Sequence, residues 1–189
     1  MTAKRTLVLL TCLLALGATG CSNKGSAVVE ADTEGVWVDA GPLDYHIEGS
    51  RQLNPAEVPY DRYLAGLPAG YKQPTGSETW FGVFLRIENR TDKAEPTADD
   101  FEIEDTLGNV YKPIELDGKV NAFSYTAQTL EADGVMPHPD SSQAFDSTDG
   151  AMLLFKLPLS GYQNRPLEFK IHPPAGSKEP EDATIDLDV

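Results

Sequence analysis

The chain has 189 residues, with 15 Lys or Arg against 30 Asp or Glu, a formal net charge of −15. That length fits one domain plus a targeting segment, and a hydrophobic content of 40% is enough for a core and too high for a disordered chain. So acidic a chain repels nucleic acid and anionic lipid surfaces, which excludes both as ligands.

Residues 1–21 read as a signal segment. Lys4 and Arg5 form its positive start, and Leu7 to Leu16 form an apolar run of about ten residues, too short to span a bilayer core of roughly 30 Å. Ala18-Thr19-Gly20-Cys21 follows. Small residues running up to a cysteine resemble the bacterial lipobox, with Ala18 standing where leucine is usual. The resemblance implies that residues 1–20 are removed and that Cys21 carries fatty acyl chains of the palmitate type. Each buried methylene contributes about 0.8 kcal/mol, and more than one chain makes the anchoring stable. The expected address is the extracytoplasmic face of a bacterial cell membrane, held by lipid.

The cysteines are Cys12, inside the apolar run, and Cys21, at its end. Nothing downstream contains cysteine, so the mature domain has neither a disulfide nor a thiolate metal site. Loss of Lys4 and Arg5 with a leader that holds no acid takes the remainder to about −17. Residues 21–33 are expected to be the lipidated cysteine and a flexible tether, polar and small from Ser22 to Ser26. The folded domain is expected over residues 34–189.

Strands are expected in sequence. Residues 35–40 carry Val36, Trp37 and Val38, and Gly41-Pro42 turns the chain. Residues 43–49 alternate Leu43, Tyr45 and Ile47 with Asp44, His46 and Glu48. Residues 52–77 break the pattern with four prolines and three glycines, and residues 61–67 fit one or two helical turns. An excursion of this length with its own aromatics is usually packed or functional.

The central strand is expected over residues 80–90. Phe81, Val83, Leu85 and Ile87 share one face, and Trp80, Gly82, Phe84, Arg86 and Glu88 share the other. Residues 101–105 form a short strand, 106–109 a tight turn with Gly108 free to take positive φ, and 110–114 a partner weakened by Pro113. A short strand is expected near residues 128–131 and a polar loop over 133–149. Residues 151–157, 166–172 and 183–189 are further alternating strands. Seven to nine short strands with almost no helical periodicity predict an all-β, antiparallel β-sandwich.

These features resemble the immunoglobulin-like domain of unknown function found in many bacterial surface lipoproteins. The residues that carry the resemblance are Val83-Phe84-Leu85-Arg86-Ile87-Glu88-Asn89-Arg90-Thr91, then the strand and Asp-x-x-Gly hairpin from Phe101 to Tyr111, then the apolar strand from Gly150 to Leu157. It covers residues 77–175 and implies an immunoglobulin-like sandwich, with no activity attached. Small secreted mycobacterial antigens are a more distant comparison. The excursion at 52–77 is outside the family pattern.

The sequence contains no Gly-x-Ser-x-Gly elbow, His-Glu-x-x-His, phosphate-cradling glycine loop or catalytic cysteine. His46, His138 and His172 stand outside metal-motif spacing of one another. Met136 with His138 is a poor copper pair, and Asp140, Asp146 and Asp149 do not match the spaced acidic loop of an EF-hand. Glu102 and Glu104 fall on a solvated strand face. The expectation is therefore a non-enzymatic, membrane-anchored binding or structural module without cofactor, whose partner is an envelope protein or ligand. The alternative is a lipoprotein that binds calcium or a small ligand through acidic loops.

One patch calls for a partner within the chain. Trp80 and Phe84 on the outward strand face would leave an apolar patch that soluble domains seldom tolerate. Tyr60, Tyr63, Leu64, Leu67 and Tyr71 in the excursion supply a cover. Residues 59–71 are expected to fold over Trp80 and Phe84, and this proline-bounded flap is the candidate partner site.

Overall fold

The computed structural model describes residues 27–58, 60–145, 149–177 and 182–189. Cys21, the leader, Pro59 and Asp146 lie outside the described residues. No helix among the described residues is long and apolar enough to cross a membrane.

Alternation builds the long strands. In chain order the elements are β1 (Glu30–Ala31), β2 (Trp37–Ala40), β3 (Leu43–Leu53), α1 (Tyr60–Tyr63), β4 (Glu78–Glu88), β5 (Glu95–Pro96), β6 (Asp100–Glu104), β7 (Val110–Tyr111), β8 (Thr129–Leu130), β9 (Val135–Met136), β10 (Ala151–Pro158), β11 (Leu167–His172) and β12 (Ala183–Leu187). One sheet has the order β1-β12-β11-β6-β7 and the other β10-β4-β3-β2, with β9 pairing the end of β4. β5 and β8 form a separate two-stranded ribbon. The chain is a β-sandwich, nearly all β.

The core lies between the two sheets. Phe81, Val83, Leu85 and Ile87 of β4 are fully buried there with Tyr45 and Ile47 of β3, Phe155 of β10 and Phe169 of β11. Each such side chain removed from water contributes about 1.5–3 kcal/mol. Phe169 stacks on Phe101 at 5.8 Å and meets Phe155 edge-on at 6.4 Å. The expected register of the central strand is the observed one.

Several expectations are corrected. The described residues form twelve strands, not seven to nine, because β1, β5 and β9 are two-residue pairings too short to alternate. The sandwich is not purely antiparallel, since β1 runs parallel to β12. Residues 28 and 29, expected to be part of a flexible tether, are instead hydrogen-bonded to the domain: Asp39 N–H donates to the Val28 carbonyl at 2.7 Å, and Thr184 N–H to that of Val29 at 2.8 Å. The second strand runs on to Leu53, and the loop at 133–149 contains β9. The helical turns expected over 61–67 shorten to α1.

A bulge explains how one strand serves two clusters. Ile47 pairs with Leu85 and Gly49 with Phe84, so Glu48 is an extra residue. The slip exchanges the faces of β3 beyond it. Leu43, Tyr45 and Ile47 face the main core, whereas Leu53 joins a second cluster on the outer face of the sheet. Gly82 makes room, since a Cβ there would lie 3.2 Å from Leu53 Cδ1.

Two polar side chains fix the motifs that carried the family resemblance. Asn89, buried at the end of β4, holds the turn: its amide nitrogen reaches the carbonyls of Lys93, Leu130 and Glu131, and its oxygen accepts from Thr91. Asp105, buried after β6, accepts from the Leu107 and Asn109 N–H groups, the amides of Asn109 and Asn164, and the Tyr111 hydroxyl. Gly108 takes φ +79° in the turn this creates.

Candidate functional site

The outer face of the β10-β4-β3-β2 sheet carries the second apolar cluster. Trp80 and Phe84 from β4, Leu53 from β3, and Met152 and Leu154 from β10 project outward together. They are outward because alternation places their neighbours in the main core. Left open, this surface would be a large apolar patch.

The excursion closes it. Tyr63 is fully buried, meeting Phe84 edge-on at 5.4 Å and Phe123 at 5.0 Å with an interplanar angle of 86°. Tyr71 lies 5.8 Å from Trp80, whose indole N–H donates to Gln73 Oε1 at 3.2 Å. Tyr60, Leu64 and Leu67 are half-buried against the same cluster. Cations rim it: Arg51 stands over Phe84 at 5.5 Å, and Lys156 stands over Tyr71 at 5.5 Å while paired with Glu78 at 3.2 Å. Of the residues named for the flap, Tyr63, Trp80 and Phe84 form its buried centre, and Tyr60, Leu64 and Tyr71 its half-exposed edge.

Sequence reasoning missed the clamp that holds the excursion down. Asn121 is buried, and its side-chain amide donates to the carbonyls of Tyr63 and Ala65 at 2.8 and 3.0 Å. Its oxygen accepts the Phe123 N–H at 2.9 Å. A single Asn in a polar stretch gives no sign of carbonyl partners more than fifty residues away. Beside it, Asp117 N–H donates to the Gly66 carbonyl at 2.9 Å.

Next to the excursion a cleft of about 1260 Å³ opens between residues 66–69, the segment 112–119 after β7, and residues 124–127. Ile114 bridges to Leu154 and Ser124 to Met152, so the 112–119 and 124–127 segments both hang on the outer edge of β10. Tyr125 lines the cleft with its ring packed on Phe101 at 5.1 Å. Its hydroxyl donates to the Ala98 carbonyl, and burial pushes that phenol well above its ordinary value.

No protein-family model matches the chain, and no curated protein matches it. Solved structures do. The fold is similar to the yjhA protein from Bacillus subtilis, 11% identical with a TM-score of 0.55 over 83% of this chain and 99% of that one. An uncharacterized β-sandwich protein from Clostridium difficile 630 is 10% identical, with a TM-score of 0.44 over 82% of this chain and 93% of that one. At such identities the likeness to the Bacillus subtilis protein speaks for the fold alone.

The remaining candidates are placed apart. His46 lies 3.4 Å from Glu48 and 4.8 Å from the Trp37 ring, on the outer sheet face. His172 lies 3.1 Å from Asp182, and His138 is exposed. Met136 is buried in the main core, while His138 stands in solvent. Among the described residues no group of three or more His, Cys, Asp or Glu is placed to hold a metal ion. Glu102 and Glu104 share a face as expected, where Lys112 meets Glu102 at 2.9 Å and Lys170 pairs with Glu104.

Proposed function

We propose that the chain is a lipid-anchored, non-enzymatic binding module on the extracytoplasmic face of a bacterial membrane, with an immunoglobulin-like sandwich whose partner face is the excursion side of the outer sheet. The observation that carries it is the short sequence distance between Cys21 and Val28, the first of the described residues docked by hydrogen bonds to both its N–H and its carbonyl. A lipid on Cys21 would hold the sandwich within about 25 Å of the bilayer, at roughly 3.3–3.6 Å per residue. The immunoglobulin-like assignment is supported by a chain that leaves one sheet for the other between β4 and β6, returns at β9 and β10, and leaves again for β11. The partner face is supported by a clamped aromatic cover with an open cleft beside it.

The anchor is tested by metabolic labelling with an alkyne fatty acid in a bacterial host. Wild type takes up label and sediments with membranes, and Cys21→Ala does neither and accumulates as uncleaved precursor. Equal labelling of the two would overturn the anchor. The partner face is tested by placing a photo-crosslinking residue at Lys119 in the intact envelope. A discrete adduct is expected there and not from the same residue at Asp92, and matching adduct patterns from both positions would overturn it.

A further inference from the structure

The cleft beside the excursion has a floor and a rim of opposite character. Its floor is apolar: Leu67 and Pro68 from the excursion, Ile114 and Leu116 from the segment after β7, with Met152 beneath. Its rim carries Asp99, Asp100, Glu115 and Asp117 against Lys112 and Lys119. Lys112 is already held, 2.7 Å from Asp100 and 2.9 Å from Glu102. Among the described residues, no Lys, Arg or His is paired with Asp99, Glu115 or Asp117. Three carboxylates therefore stand around an apolar floor with one uncommitted rim lysine.

The walls are fixed before anything binds. The Asp117–Gly66 bond and the Asn121 clamp join the excursion wall to the opposite one. A preformed cleft avoids the ordering cost that a floppy loop would add. At about 1260 Å³ it is larger than an ion or a small metabolite needs, and it takes several side chains in a row.

We propose that this cleft binds a basic protein segment, with Lys or Arg side chains on Asp99, Glu115 and Asp117 and an aliphatic or aromatic side chain on the Leu67, Ile114 and Leu116 floor. This rests on the reading of the excursion side as the partner face. A neutral apolar ligand would strip water from the rim carboxylates and return nothing. An anionic ligand meets both the rim and a chain of net charge −15. A basic segment is steered in by the same field, and its apolar side chain uses the floor.

The test uses the full chain in a non-ionic detergent and a fluorescein-labelled octapeptide of alternating Lys and Leu. Saturable anisotropy is expected, with no saturation for the Glu-Leu counterpart and several-fold weaker binding for Lys-Ser. Asp99→Asn with Glu115→Gln should weaken the Lys-Leu peptide by about three- to tenfold. Asp92→Asn with Asp140→Asn removes the same charge from exposed positions outside the cleft lining and should leave affinity within about twofold. Equal weakening by both pairs would show attraction to net charge alone and overturn the site. So would a lack of saturable binding by a chain with native circular dichroism. An adduct at Lys119 without peptide binding would retire the basic segment and leave the partner face standing. Fatty-acid labelling of Cys21 reads the anchor independently of both.

Discussion

Gly66 and Asp117 meet backbone to backbone. The Asp117 N–H donates to the Gly66 carbonyl at 2.9 Å, Gly66 holds φ +77°, and a Cβ at Gly66 would lie 2.9 Å from the Asp117 carbonyl oxygen. Gly66→Ala therefore meets both a disfavoured backbone region and a backbone atom that has no room to give. It should cost about 1–3 kcal/mol, felt first as faster amide exchange over residues 60–71. Protection unchanged from wild type would show that this contact does not hold the excursion.

Asn121→Ala attacks the same closure through hydrogen bonding. It strips the Tyr63 and Ala65 carbonyls of an amide donor in a buried site. A loss of about 2–4 kcal/mol is expected, and Asn121→Asp should be no milder, since it removes the donors and buries a charge. Urea melts would read this, and a loss below about 0.5 kcal/mol for either variant would remove Asn121 from its assigned role.

Deleting residues 56–71 and closing the gap with a short Gly-Ser linker should leave the sandwich folded and uncover Trp80. The chain has two tryptophans, so a Trp37→Phe background isolates the signal. The expected readout is a red-shifted Trp80 emission and increased binding of a hydrophobic dye, since each aromatic in this cluster buries on the order of 150–250 Å². An unshifted spectrum without dye binding would mean that the excursion covers nothing.

Leu85→Asp should unfold the domain. Leu85 is fully buried on β4, paired with Ile47 on one side and Ala151 on the other, so the variant adds an unpartnered charge to the lost burial. Glu88→Gln, three residues along, loses only a partly exposed pair with Arg90 at 2.9 Å and should change stability by less than about 1 kcal/mol. Chemical denaturation of both variants checks the register, and the reverse ranking would place the inner face of β4 on the wrong residues.

Two carboxyls give opposite pH dependences. Burial works against the Asp105 carboxylate, yet the hydrogen bonds from Asn109, Asn164 and the Leu107 N–H outweigh it and hold the group well below its ordinary value. Its stabilisation is present above about pH 4 and is lost as acid protonates it. Asp105→Ala should therefore cost about 2–3 kcal/mol at pH 7 and progressively less toward pH 2. Asp44 is pushed up to about 6 by burial first and then by its hydrogen bond with Asp39. Its contribution is full below about pH 4 and fades as pH rises through 6. Asp44→Asn should gain on wild type between pH 4 and pH 7, and a constant difference across that range would sink this assignment.

Much of the sandwich was legible because its long strands alternate. Phe81 to Ile87, Ala151 to Leu157 and Leu167 to Ile171 each announce an inner face by period two. The outward aromatics Trp80 and Phe84 announced a cover for the same reason. The two-residue strands carry no period, and β5 even ends on Pro96, which argues against a strand when read alone. The bulge at Glu48 was hidden because nothing marks an extra residue until the partner strand is known. Asn89 and Asp105 read as polar strand ends, and Asn121 as part of a stretch with no clear period. Their burial follows from carbonyls and amides brought near by the fold, and a polar side chain in isolation does not say which it will meet.

The parallel pairing of β1 with β12 has a mechanical side. For a sandwich held at its N-terminal end and loaded at the cleft, tension enters through Val28. There it meets a two-residue strand and hydrogen bonds that tie residues 28–35 to Asp39, Ile47, Ser50, Thr184 and Asp188. Detaching them leaves the pairing of β2 with β3 in place. Peeling residues 28–36 frees about 30 Å of slack at roughly 3.3–3.6 Å per residue. The main core stays closed meanwhile, because no residue of that stretch except Ala31 packs against it. With such an anchor in place, this stretch would serve as a short leash folded into the domain's own edge, able to lengthen under load.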